Sequence, residues 1–60
     1  MKFRATFIGE NSLGYEKGKT YDLLMIGPLT ISRIDGTGIC PYGSVLAFIK
    51  NWENLNSFEK

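Results

Sequence analysis

The chain contains no histidine and only one cysteine, Cys40. The first absence removes the commonest general base and the commonest metal ligand, and the second removes any internal disulfide. A Cys-His nucleophile and an ordinary zinc site are both out of reach. A lone cysteine fits a reducing compartment, because a secreted domain of this size usually carries an even set. An excess of one charge is lacking as well. Seven Lys/Arg stand against six Asp/Glu, and the net charge of +1 is too small to make nucleic acid or an anionic membrane the expected partner. No apolar run approaches the roughly 20 residues that cross a bilayer. After Met1-Lys2-Phe3-Arg4-Ala5 no apolar stretch of signal-peptide length follows. These features predict a cytoplasmic protein that binds no metal, cofactor or membrane.

Also missing is a phosphate-binding loop, although Gly14-Tyr15-Glu16-Lys17-Gly18-Lys19-Thr20 imitates one. That loop needs four residues between its glycines and must open a helix. Here three residues separate Gly14 from Gly18, and Thr20-Tyr21-Asp22-Leu23-Leu24-Met25-Ile26 is rich in strand formers. The glycine pair opens a strand.

What is present is enough for one small domain. Sixty residues bury only about 60% of their unfolded surface, so stability must come from packed apolar side chains or from association as a small homo-oligomer. The 43% hydrophobic and 13% aromatic content suits a packed core in a monomer. Lys2 to Ile8 alternates, with Phe3, Ala5 and Phe7 on one face, as a half-buried strand does. A connection of about ten residues follows, long for a hairpin. A second strand is expected over 20–26 and a third over 29–34. The Asp35-Gly36 turn leads to a short fourth strand over 37–40, stopped by Pro41. Val45, Leu46, Phe48, Ile49 and Trp52 then form a helical stripe, with Ser44 as N-cap and Lys50 at the negative end of the helix dipole. Residues 52–56 are expected to make a last strand and 57–60 to fray. The fold class is mainly β: a strongly bent antiparallel sheet or barrel of four to five strands with one short C-terminal helix.

This order resembles the SH3-like small barrels. The residues that carry the resemblance are the loop from Leu13 to Leu23 closing into Gly-Lys-Thr-Tyr-Asp-Leu, the Asp35-Gly36 turn, and the helical turn before Trp52. The chain also resembles short uncharacterised proteins encoded by bacteriophages and prophages of Gram-positive bacteria. It does so through Cys40-Pro41-Tyr42, Ser44, Phe48 and Asn51-Trp52-Glu53. The first resemblance implies an architecture that hosts many functions. No proline-rich ligand is implied, because the long loop holds only Glu10 and Glu16 as acidic residues. The second implies a phage-type accessory protein.

Candidate site residues follow from composition. Trp52 and Tyr21 are assigned to the core. Tyr15 and Tyr42 lie in glycine-bounded loops and are open to either a core role or an aromatic contact patch, since Tyr and Trp dominate interface hot spots. Leu13, Tyr15, Lys17, Lys19 and Tyr42 together make the expected contact surface for a protein partner. Lys2, Arg4, Lys17, Lys19 and Arg33 form the alternative, a basic face binding single-stranded nucleic acid with a tyrosine stacking on a base. The ordinary reading of those cations is a solvated face that protects edge strands. Cys40 is expected to be a small buried side chain. No carboxylate pair recommends itself for acid-base work, and an enzyme is not expected.

Overall fold

The computed structural model describes residues 1–57 and has the elements β1 (Lys2–Phe7), β2 (Thr20–Gly27), β3 (Thr30–Arg33), β4 (Cys40–Pro41), α1 (Val45–Asn51) and β5 (Trp52–Ser57). The expected fraying of 58–60 falls outside the described residues, while Ser57 closes β5. All pairings are antiparallel, and the five strands run in the order β4-β3-β2-β1-β5. The mainly β fold class read from the sequence is the one observed.

β1 is an interior strand, paired with β2 on one side and β5 on the other, and it is the most regularly amphipathic. Phe3, Ala5 and Phe7 are buried, while Lys2, Arg4 and Thr6 stand outside. Outside, Arg4 pairs with Asp22 at 2.7 Å and Thr6 shares a hydroxyl bond with Thr20 at 2.8 Å, both across the β1–β2 ladder. β2 pairs with β1 through Thr20–Leu24 and with β3 through Leu23–Gly27. The strand thus passes from one neighbour to the other along its length, which lets a small sheet curl over its core. A bulge interrupts the β1–β5 ladder between Arg4 and Thr6, opposite Asn54, whose φ is 56°.

Two elements depart from the sequence reading. The fourth strand is Cys40–Pro41, because Gly38 has a φ of 68° that breaks an extended 37–40 segment. The helix is capped as expected, with the Ser44 Oγ accepting from the Ala47 N–H at 3.1 Å and Lys50 in the last turn. Its apolar stripe nevertheless points the wrong way. Phe48 is buried and Ala47 and Asn51 are half-buried, whereas Val45 and Leu46 are 63% and 59% exposed and Ile49 is also outside. The inward face is set by Phe48 against Phe3 and Tyr42 and by the entry of Trp52 into β5. Seven helical residues give room for only one such anchor. Cys40, expected to be buried, is half-buried.

Candidate interaction surface

The long first loop is a folded structure. Ser12 and Tyr15 exchange both backbone hydrogen bonds, at 3.1 and 2.7 Å, around Leu13-Gly14. Both central residues have positive φ, 52° at Leu13 and 82° at Gly14, the signature of a type I′ turn. Asn-Gly is the favoured pair in that turn. A leucine in the left-handed region costs about 1–2 kcal/mol. Further on, the Lys17 N–H donates to the Asn11 carboxamide oxygen at 2.8 Å, and the Gly18 N–H donates to the Phe7 carbonyl at 2.7 Å. The loop is thereby stitched to itself and to β1.

Tyr15 is the centre of this arrangement, and its placement corrects the expectation that it lies on the contact surface. It is 1% exposed. Its ring packs against Phe7, Tyr21 and Trp52 at centroid distances of 5.7, 5.2 and 5.2 Å. A folded-back loop on so small a body delivers its aromatic residue to the core, because the sheet alone cannot close it. The Tyr15 hydroxyl donates to the Gly38 carbonyl at 2.8 Å, tying the long loop to the β3–β4 loop.

Arg33, at the end of β3, completes the tie. Its guanidinium lies over the Tyr15 ring at 4.3 Å, donates to the Leu13 carbonyl at 2.7 Å and donates to the Thr37 hydroxyl at 3.2 Å. Thr37 in turn donates from its hydroxyl to Asp35 at 2.6 Å and from its N–H at 3.0 Å. Gly14 and Gly38 both pack directly on the guanidinium, and a methyl group at either would collide with it. By sequence alone Arg33 is one cation of a basic face. The signal available was its place just before Asp35-Gly36, with glycines at 36 and 38 leaving room beside the chain.

The other expected site residues are dispersed in role. Leu13 is 54% exposed on its turn. Lys17 and Lys19 are exposed as expected, but Lys19 is paired with Glu16 at 2.6 Å. That pair holds the Glu16 carboxyl below its usual range, as Arg4 does for Asp22 and the Thr37 hydroxyl for Asp35. Tyr42 is half-buried. Its hydroxyl accepts from the Trp52 indole N–H at 2.7 Å, so it acts as an inner support under Trp52. Leu13 and Ile39 remain as exposed apolar side chains next to Gly14 and Gly38, the two glycines that grip Arg33.

Burial, followed by the Cys40 hydrogen bond, pushes the Tyr42 hydroxyl up to about 12 from its ordinary 10.0, despite the opposing Trp52 bond. Burial raises Tyr15 as well. A folded-state value above the unfolded one means that the stabilisation is complete below pH 10 and is lost as the pH climbs towards 12. Thermal melts should therefore lose stability over that window, and Tyr42→Phe should flatten the loss. An unchanged slope in the variant would remove Tyr42 as its source.

No family model, no curated protein and no solved structure matches this chain. Among the described residues, no group of three or more His, Cys, Asp or Glu side chains is placed to hold a metal ion, and no helix is long and apolar enough to cross a membrane.

Proposed function

We propose that the chain is a non-enzymatic, cytoplasmic accessory protein of the phage type that works by protein-protein contact. The phage assignment and the kinship with SH3-like barrels rest on the sequence resemblances. The observation that carries the contact reading is the Arg33 clamp. It locks two loops together and leaves Leu13 and Ile39 outside. Rigid display matters because ordering a loop on binding consumes affinity, about 0.5–1.5 kcal/mol for each immobilised side chain. The clamp has removed part of that cost before any partner arrives. The nucleic-acid reading has less support from the geometry. Tyr15 is inside, Arg33 serves the clamp, and Lys19 and Arg4 already face carboxylates.

Ile39→Lys tests the proposal. Ile39 is exposed, so the variant should keep its stability within about 0.5 kcal/mol. Affinity capture from a Gram-positive bacterial lysate should recover a protein with the wild type and not with this variant. Equal recovery by both would move the contact away from the clamp. A salt-sensitive shift of single-stranded oligonucleotides, with no protein recovered, would replace the proposal by the nucleic-acid one.

A further inference from the structure

The two edges of the sheet are unlike. β4 is two residues long and ends in Pro41, which has no N–H to offer a further strand. β5 has six residues, no proline and no lysine, and its one charge is Glu53 near its start. From Leu55 to Ser57 it carries none of the side chains that usually protect an edge. The direction of its backbone groups follows from its neighbours. The Phe7 N–H donates to the Lys19 carbonyl, the Phe7 carbonyl accepts from the Gly18 N–H, and the Met1 carbonyl accepts from the Met25 N–H. Odd positions of β1 thus turn their backbone groups to β2, and the even ones, Arg4 and Thr6, turn theirs to β5. Arg4 faces Asn56, so Leu55 and Ser57 direct their N–H and carbonyl groups away from β1. Among the described residues these groups meet no backbone partner.

We propose that β5 pairs with β5 of a second copy of the chain, antiparallel, about a two-fold axis at Asn56. In this register each Leu55 faces the second copy's Ser57, and the outward groups of both residues bond on either side of the axis. Opposed side chains share a face of the sheet, so the second copy's Leu55 falls on the inner face beside Ser57. There Leu55 and Ser57 border an apolar groove with Met1, Met25 and Phe48, and the incoming leucine covers it. On the outer face Asn56 meets Asn56, and a carboxamide both donates and accepts. No charged side chain enters the seam. Lys2 and Arg4 stand one strand back, with Arg4 facing Asp22, and Glu53 lies beyond the bulge at Asn54, where the pairing stops. A net charge of +1 gives two copies little to repel. The bulge also favours a second copy over an unrelated strand. It leaves only a short regular stretch, and the two-fold arrangement uses that stretch twice and fills a groove on each side. This contact does not depend on the one at Leu13 and Ile39.

Sedimentation of the intact chain between about 10 µM and 1 mM should show a monomer passing reversibly into a species of twice its mass. Ser57→Pro deletes an N–H that points away from β1, so its melt, taken where both chains are monomeric, should match the wild type. Its association should weaken at least about tenfold, because one bond is lost on each side of the axis. Leu55 is 48% exposed, so Leu55→Lys should keep the fold and weaken association by a similar factor. In the wild type the Leu55 and Ser57 amides should exchange with deuterium more slowly at about 1 mM than at about 10 µM. A chain that stays monomeric at about 1 mM overturns the proposal. So does a folded variant of either kind that dimerises like the wild type, which would put the contact elsewhere. If Ser57→Pro does not fold, Leu55→Lys and the amide exchange decide.

Discussion

Replacing Trp52 by alanine is expected to abolish cooperative folding at ambient temperature. Trp52 is 1% exposed, opens β5 opposite Phe7 and packs at a tilt against the Phe7 ring at a centroid distance of 4.9 Å. It also meets the Tyr15 and Tyr21 rings and donates its indole N–H to Tyr42. A buried Trp→Ala change costs about 3–5 kcal/mol. A chain of this length has only roughly 3–9 kcal/mol of total stability. The loss also falls where the long loop, the sheet and the residues before the helix meet, so no neighbour can close the gap. Far-UV circular dichroism should show no sigmoidal melt for Trp52→Ala. Trp52→Phe, which retains a ring but removes the indole N–H that donates to the Tyr42 hydroxyl, should lose about 1–2 kcal/mol and still melt cooperatively. A Trp52→Ala melt within a few degrees of wild type would show that the aromatic cluster is not what holds the fold.

The second large effect is expected at Gly38. Alanine there must hold a φ of 68° and place a methyl group against the Arg33 guanidinium and 2.8 Å from the Tyr15 hydroxyl oxygen. Conformational strain adds about 1 kcal/mol. Displacing the Tyr15–Gly38 bond and the cation over the ring adds more, for a total of about 2–4 kcal/mol. The clamp makes this effect conditional. In an Arg33→Ala background the methyl group gains room on one side, and the penalty should shrink by about 1 kcal/mol. Urea unfolding of the four species of this double-mutant cycle measures the coupling. Additive penalties would mean that the need for Gly38 comes from its backbone conformation and the Tyr15 contact and not from Arg33.

Most of the sheet was legible in the sequence because period-two alternation is a local signal. Phe3, Ala5 and Phe7 are inward as their spacing requires, and Asp35-Gly36 turns the chain where it should. The Ser44 cap and the strand after Trp52 were legible for the same reason. The contact surface was less so. Whether a loop tyrosine is inside depends on how far the loop folds back, and Tyr15 is carried inward by a turn whose leucine gives no positive-φ signal. Arg33 acts through a backbone carbonyl twenty positions away, beyond the reach of any spacing rule. The helix failed in a third way. Five apolar residues mark a stripe, but in a helix of seven residues one anchored ring decides which side of the stripe turns in.

The bulge at Asn54 has a consequence for chain length. Phe7 faces Trp52, Thr6 faces Glu53, Arg4 faces Asn56 and Phe3 faces Ser57, so Ala5 alone is opposed by two residues. The surplus residue returns Leu55 and Ser57 to the side of Phe3, where they border a groove of about 280 Å³ with Met1, Met25 and Phe48. Without Asn54 the ladder would pair one to one from Phe7 to Phe3, with every other β5 side chain still on its present face. Loss of Leu55 would also give one-to-one pairing, but with Asn54 in its place opposite Ala5. The bulge is therefore the part of this strand where the chain can become one residue shorter and keep the same fold, and loss of Asn54 leaves every other β5 side chain on its present face.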